Sequence, residues 1–162
     1  YINENVRIKP LVHGGGQERN MRGGTENLYG IVGFAKALEM ATASMEEDMA
    51  YIGTLKYYMM DELKKNIPRI AFNGYALGRC LYTVLSASFP KTEKSEMILF
   101  NLDINNICAS GGSACTSGAD QGSHVIRAIN NNPNQVTVRF SFSKHNTKEE
   151  VDTVVEKLKD LV

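Results

Sequence analysis

Residues 13–27 read HGGGQERNMRGGTEN, a polar stretch with five glycines. So many glycines in a short segment predict a loop whose backbone takes positive φ angles or approaches another group closely. From Gly30 onward, apolar residues recur every three or four positions, which predicts a helix. A second helical block follows and is expected to stop at Pro68. The sequence therefore predicts a glycine-rich loop that leads into helical structure.

A second polar loop, SGGSACTSGADQGS, spans residues 110–123. Residues 107–110 predict a brief buried strand before it, and residues 136–142 alternate apolar and polar side chains, as a half-buried strand does. Two more strands are predicted at residues 69–73 and 80–89. A capping box, TKEE at residues 147–150, begins a final amphipathic helix. The chain is thus predicted to be mixed α/β, with two glycine-rich loops as its chemically distinctive parts.

The composition narrows the classes of function. The 162 residues carry 18 basic and 18 acidic side chains, so the formal net charge is zero. This balance argues against a nucleic-acid binder or a polybasic membrane-surface module. No apolar stretch is long enough to cross a bilayer. Three cysteines without a secretion signal favour a reducing compartment, which we expect to be the cytoplasm. The chain opens without an initiating Met or a leader, which predicts a piece of a longer polypeptide.

Metal binding and ester hydrolysis fit these loops poorly. Cys108, Cys115 and His124 lie near one another in sequence, but they lack the compact ligand pairs of a structural zinc site, so no metal is predicted. Residues 13–16, HGGG, match the oxyanion loop of lipases, a fold that also needs a G-x-S-x-G elbow. Residues 111–115 read GGSAC, with a cysteine at the last position of that elbow. A hydrolase is therefore disfavoured.

The segment before the first helix has two readings. The motifs G-x-x-x-x-G-K-[ST] and G-x-G-x-x-G are both absent. Exposed backbone N–H groups at a helix start, with the hydroxyl of Thr25, would still make a cradle for an anion. The alternative is that Thr25 or Asn27 caps the helix and binds no ligand, which is the commoner case on sequence grounds.

Cys115 is the strongest candidate for a reactive residue. Its neighbours are small and polar, which predicts an exposed thiol in a loop that can form a thiolate and act as a nucleophile. Cys80 and Cys108, in contrast, are set among apolar residues and are expected to be buried.

Arg139 is the second candidate. It lies on the polar side of the predicted strand at residues 136–142, where its guanidinium could hold a carboxylate with two parallel hydrogen bonds. A surface ion pair is an equally good reading of the pattern alone.

Three segments together resemble the pyridoxal-phosphate-dependent cysteine desulfurases, a class-V aminotransferase-like family. They are HGGGQERNMRGGTEN at residues 13–27, ICASGGSACTSG at 107–118 and VTVRFSFSKHNTKEEVD at 136–152. The match covers essentially the whole chain, and the cysteine segment resembles the subgroup with a long, mobile cysteine loop. The resemblance implies the C-terminal part of a type I pyridoxal-phosphate-dependent transferase fold, with a small domain in which helices cover an antiparallel sheet.

The resemblance also implies roles for four residues. Cys115 would take the sulfur of L-cysteine as a persulfide and leave L-alanine. Thr25 would bind the phosphate of the cofactor in the neighbouring subunit of a homodimer, and Arg139 would hold the substrate's α-carboxylate. His13 would help to wall the active site. The sulfur would then pass to an acceptor such as an iron–sulfur scaffold protein, for cluster assembly.

One element of the family pattern is missing. The lysine that holds pyridoxal 5'-phosphate lies in an S-H-K type motif upstream of the segment that matches Tyr1, and no such motif occurs here. We therefore expect residues 1–44 to be the end of the large cofactor domain, residues 45–162 to be the small domain, and the chain alone to be inactive. The alternatives are a selenocysteine lyase, another transferase of the same fold, or a noncatalytic interaction module.

Overall fold

The computed structural model describes residues 3–111, 123–129 and 132–162 and has the predicted mixed α/β architecture. The chain divides into two compact units, Tyr1–Met45 and Glu46–Val162. The assignment of residues 1–44 and 45–162 to a large and a small domain stays a prediction. Within the described ranges, no helix has the length and apolar character that a membrane crossing requires.

The first unit holds an irregular segment, a short 3-10 turn at Glu18–Asn20 and the beginning of helix α1, Leu28–Asn66. The two helical blocks predicted before Pro68 form this one helix. The polar residues at their expected junction do not end it, and the Thr42 and Ser44 hydroxyls donate to carbonyls one turn earlier. Hydroxyls in this arrangement are accommodated inside a helix.

The second unit is built on a three-stranded antiparallel sheet in the order β1-β2-β3. Strand β1 is Ala71–Phe72, β2 is Val84–Pro90 and β3 is Gln135–Ser141. The central pairs in the register of β2 and β3 join apolar with apolar and polar with polar residues, as in Ala87 with Val138 and Ser88 with Thr137. Since side chains alternate across a strand, this register gives the sheet one apolar and one polar face.

Helices supply the rest of the core of the second unit. They are the C-terminal half of α1, α2 at Ile98–Ile104 and α4 at Lys148–Leu161, while α3 is the short His124–Ile129. The helix-covered antiparallel sheet expected from the family resemblance is therefore present. The buried apolar cluster contains Met59, Met60, Leu63, Ile67, Leu85, Ala87, Phe89, Ile98, Leu102, Val138, Phe140, Val151, Val155 and Leu158.

Two boundaries of the fold follow directly from local sequence. Helix α1 ends at Asn66, before Pro68 as predicted, because proline cannot continue the helical hydrogen bonding. The predicted capping box of α4 is also confirmed: Glu150 N–H donates to the Thr147 hydroxyl, and the Glu150 carboxylate accepts from Thr147 N–H.

Three local predictions are wrong. The strand expected at residues 80–89 begins at Val84, because the Leu81 carbonyl accepts from the Lys56 ammonium instead of entering the sheet. Residues 107–110 form a single bridge to β3 and not a buried strand. Cys80 and Cys108 are exposed, because neither residue lies in a strand.

Candidate functional site

The first glycine-rich loop is closed on itself at a point that requires glycine. Gly23 N–H donates to the Val12 carbonyl over 2.8 Å, which brings the two ends of the loop together. A Cβ on Gly23 would lie 2.6 Å from the carbonyl carbon of His13 and would also overlap the backbone of Gly14. Gly24 has a φ of +93°, which L side chains rarely adopt. Both properties predicted for the loop, positive φ and close backbone approach, are confirmed.

The tip of this loop contains three consecutive left-handed residues. Glu18, Arg19 and Asn20 have φ values of 47°, 54° and 65°. This conformation costs energy for residues that carry a Cβ. Strain of this kind persists only where surrounding contacts impose it, and it concentrates at functional sites.

The beginning of α1 shows which residue caps the helix. The side-chain oxygen of Asn27 accepts from Gly30 N–H over 3.0 Å, so Asn27 caps the helix. Thr25 is exposed, and within the described part of the chain its hydroxyl has no hydrogen-bond partner. The Thr25 hydroxyl is therefore available to an anion, whereas the N–H groups of Leu28 and Gly30 are already bonded to Glu26 and Asn27. His13 lies at the entrance of the same loop and is also exposed.

Arg139 lies on the polar face of the sheet of the second unit. It stands opposite Ser86 in β2, and it exchanges two main-chain hydrogen bonds with Ser110, of 2.6 Å and 3.1 Å. Its guanidinium contacts the Ser110 hydroxyl at a long 3.5 Å. Within residues 3–111, 123–129 and 132–162, no carboxylate forms an ion pair with it, so the surface ion pair has no partner there. The guanidinium is exposed and available for a ligand.

A network of uncharged polar side chains supports this face. The Asn73 amide donates to the hydroxyls of Ser86 over 3.1 Å and of Ser88 over 2.8 Å. The Ser88 hydroxyl also shares a hydrogen bond of 3.0 Å with that of Thr137, and Ser88 is 1% exposed. Buried hydroxyls that are fully bonded fix neighbouring strands in one arrangement. Sequence reasoning missed this network, although serine at alternate positions 86 and 88 of an apolar strand was the signal.

A cleft of about 280 Å³ lies beside Arg139, and the second polar loop starts and ends there. Gly111, the residue before the undescribed segment 112–122, lines the cleft, and so does Ser123, the residue after it. Cys115 itself lies outside the described residues. The cleft is completed by Asn73, Ser86, Ser110, Val125, Ile126, Ile129 and Thr137.

The described candidates fall into separate units. His13 and Thr25 belong to the first unit, whereas Arg139 belongs to the second. Cys108 and His124, weighed above as metal ligands, join no group of three or more His, Cys, Asp or Glu side chains that could hold a metal among the described residues.

Comparison with known proteins identifies the family. The model of the family described as aminotransferase class-V matches residues 4–154. The chain belongs to this family. The matched range includes the loop with His13 and Thr25, the segment with Cys115 and the strand with Arg139.

Among class-V aminotransferases, the chain is similar to cysteine desulfurases. It is 36% identical over 165 residues to "Cysteine desulfurase IscS" of Dictyoglomus turgidum and 40% identical over 165 residues to the protein of the same name from Methanosarcina thermophila. Both matches include 100% of this chain, but 41% and 40% of those proteins. The chain thus spans about two fifths of the length of these relatives.

Solved structures give the same result for the fold. A NifS-like protein from Rickettsia africae matches 97% of this chain with a TM-score of 0.76 and 28% identity, and the match covers 41% of that protein. Another NifS-like protein matches 99% of the chain with a TM-score of 0.77 and 32% identity, over 40% of its own length. The expected class-V aminotransferase-like fold, present here in part, is confirmed.

The first loop fits one portion of the cofactor that this family implies. Pyridoxal phosphate carries a phosphate dianion, and the free hydroxyl of Thr25 beside the helix start is a suitable partner for it. The attachment lysine is not supplied by an S-H-K type motif in this sequence. The chain therefore carries groups suited to the phosphate end of the cofactor and not its covalent anchor.

Proposed function

We propose that the full-length protein is a pyridoxal-phosphate-dependent cysteine desulfurase. It converts L-cysteine to L-alanine and keeps the sulfur as a persulfide on Cys115. Similarity to desulfurases along the entire chain supports this proposal. The structural observation that carries it is Arg139, a guanidinium without an ion-pair partner in the described part of the chain, on a cleft that both ends of the cysteine loop line.

Arg139 would bind the α-carboxylate of the substrate. The planar guanidinium presents N–H groups that match the two carboxylate oxygens. Its hydrogen bond to Ser110 is long and is easily exchanged for a charged ligand. The cleft beside it has a volume suited to a small amino acid and is lined by hydroxyl, amide and aliphatic groups.

Cys115 is close in sequence to a residue that lines this cleft. It follows Gly111 by four residues. This closeness in sequence supports Cys115 as the nucleophile, but it does not test that role.

The chemistry divides between the cofactor and the chain. When bound, pyridoxal phosphate supplies an electron sink that weakens the Cβ–S bond of the substrate. The Cys115 thiolate attacks the substrate sulfur, so that an S–S bond forms and the C–S bond breaks. The electron pair of the broken bond stays on the substrate carbon, which is protonated on the way to alanine.

The first unit would serve the cofactor. We propose that Thr25 binds the cofactor phosphate of the neighbouring subunit in a homodimer and that His13 helps to wall the same active site. The lysine that anchors the cofactor would come from a part of the protein outside this sequence. The chain alone would then bind no cofactor covalently and would catalyse no desulfuration.

Sulfur would leave the enzyme by transfer from the Cys115 persulfide. The acceptor class is a thiol-bearing protein, such as an iron–sulfur scaffold in cluster assembly. Cys115 must be a reduced thiol to act as the nucleophile, and thiols stay reduced in the cytoplasm, which supports a cytoplasmic location. The unpaired Cys80 and Cys108 agree with such a compartment.

The test measures alanine and persulfide in the full-length protein with pyridoxal phosphate and L-cysteine. We expect the unaltered protein to release alanine and to carry one extra sulfur on the peptide that contains Cys115. C115S should lose both signals, whereas C108S, which removes an exposed thiol elsewhere, should keep them. Persulfide formation that persists in C115S would refute the nucleophile assignment. A full-length protein that releases no alanine would refute the activity.

A further inference from the structure

A buried ammonium lies against an exposed thiol in the second unit. Lys56 of α1 is 2% exposed. Its Nζ donates to the Cys80 sulfur over 3.1 Å and to the Leu81 carbonyl over 3.1 Å. Cys80 is exposed and lies in the segment between β1 and β2. The two side chains come from positions 24 residues apart, so the fold and not local sequence creates the pair.

The charge of Lys56 is incompletely compensated by its surroundings. Burial of an ammonium is costly unless an anion or several acceptors face it. An ammonium has three N–H donors, and within the described ranges two of them have acceptors, a neutral carbonyl and a sulfur. No carboxylate in those ranges forms an ion pair with it. A negative charge on the Cys80 sulfur would satisfy the ammonium.

The pair is reachable from solvent. Lys56 and Cys80 line a cleft of about 220 Å³, which is large enough for a small polar molecule. Asn73 and Ser86 line this cleft too, and both also line the cleft beside Arg139. A change at Cys80 therefore occurs next to the polar network of Asn73, Ser86 and Ser88, which supports the sheet face that carries Arg139.

We propose that Lys56 and Cys80 form a modification site, at which peroxides oxidise Cys80 to a sulfenic acid. Reactive cysteines are partially exposed and lie beside cations, and Cys80 has both properties. Lys56 stabilises the negative charge of the attacking thiolate and then the charge that passes to the departing peroxide oxygen. This inference concerns a thiol other than Cys115 and does not depend on the desulfurase proposal.

The reaction balances with hydrogen peroxide as the oxidant. The Cys80 thiol gives its proton to water, and its sulfur attacks one peroxide oxygen. An S–O bond forms and the O–O bond breaks, and the departing hydroxide takes up a proton to become water. Sulfur loses two electrons and the peroxide gains two. A small thiol reverses the modification through a disulfide.

Cys108 provides an internal control. It is also exposed and unpaired, but in the described part of the chain no lysine contacts its sulfur. It lines a different cleft, in which the charged side chain is the carboxylate of Glu150. Exposure alone predicts similar oxidation of both cysteines, whereas the proposal predicts a clear preference for Cys80.

The experiment treats the full-length protein with less than one equivalent of hydrogen peroxide and traps sulfenic acid with dimedone. Peptide mass spectrometry then compares labelling of Cys80 and Cys108. We expect about fivefold or greater preference for Cys80, the kind of selectivity that a neighbouring cation confers. K56R keeps the cation and should keep the preference. K56M should lower Cys80 labelling to that of Cys108, and K157M, at an exposed lysine of α4, should change nothing.

Folding is controlled in the same samples. Circular dichroism and thermal melting report whether K56M retains the native structure. If K56M unfolds, the Cys80 to Cys108 ratio in the unaltered protein and in K56R decides the question. Equal labelling of the two cysteines in the unaltered protein would overturn the proposal, and so would an unchanged preference in a folded K56M.

Discussion

Replacement of Arg139 by alanine tests the substrate site most directly. The proposed guanidinium–carboxylate pair contains two charge-assisted hydrogen bonds, each contributing about 1.5–3 kcal/mol. Ordering an exposed arginine offsets this by about 1.5–2 kcal/mol. Little is lost from the free protein, because the hydrogen bond to Ser110 is 3.5 Å long. We expect R139A to weaken substrate stabilisation by about 2–4 kcal/mol, or roughly 30- to 900-fold in kcat/KM.

The assay is steady-state alanine formation by the full-length protein over a range of L-cysteine concentrations. R139K retains the charge but not the planar pair of donors, so we expect its kcat/KM between those of R139A and the unaltered protein. R127A, at an exposed arginine of α3, is the matched control. Because Arg139 is exposed, R139A should change the free energy of unfolding by less than about 0.5 kcal/mol. An unchanged KM and kcat in a folded R139A would refute the carboxylate role.

Three further predictions concern stability and titration. G23A should lower the free energy of unfolding by about 1–3 kcal/mol in denaturant titrations, because its Cβ overlaps the facing backbone, whereas G33A, with open space around its Cβ, should be neutral or stabilising. The hydrogen bond to Asp152 raises the pKa of Tyr58 to about 12; phenolate absorbance should show this midpoint, and D152N should return it toward 10. The free energy of unfolding should fall as pH rises above 10, because only the unfolded tyrosine ionises there. Hydrogen bonds from the Asn146 amide and the Thr147 N–H lower the pKa of Glu150, so its stabilising contribution is present above the ordinary glutamate pKa and is lost as pH falls through the lower folded value. E150Q should flatten this dependence of the melting temperature on acid pH, and an unchanged slope would contradict the prediction.

Sequence predicted best the features that depend on neighbouring residues. The alternation of β3 and the capping box of α4 are local patterns, and both are present as predicted. The glycine-rich loop was also predictable, because close backbone approach and positive φ leave few alternatives to glycine at Gly23 and Gly24.

Features that depend on residues distant in sequence were missed. Cys80 was expected to be buried, but it is exposed and lies beside the ammonium of Lys56. No local sequence pattern predicts this contact. The hydrogen bond between the Ser88 and Thr137 hydroxyls joins two residues that are 49 positions apart in the sequence. Thr25 and Asn27 were equivalent candidates for the cap, and hydrogen-bond geometry was needed to choose Asn27. The role of Cys115 stays a prediction, since it lies outside the described residues.

The position of Gly111 and Ser123 on one cleft has an evolutionary consequence. Because Gly111 and Ser123 line the same cleft, residues between these anchors can be added or removed without a change in the sheet. The cost of a longer connection is entropic, and doubling its length costs only about 0.6 kcal/mol. Loop length is therefore nearly neutral for stability, and under the proposed function selection can adjust it to the protein that accepts sulfur from Cys115.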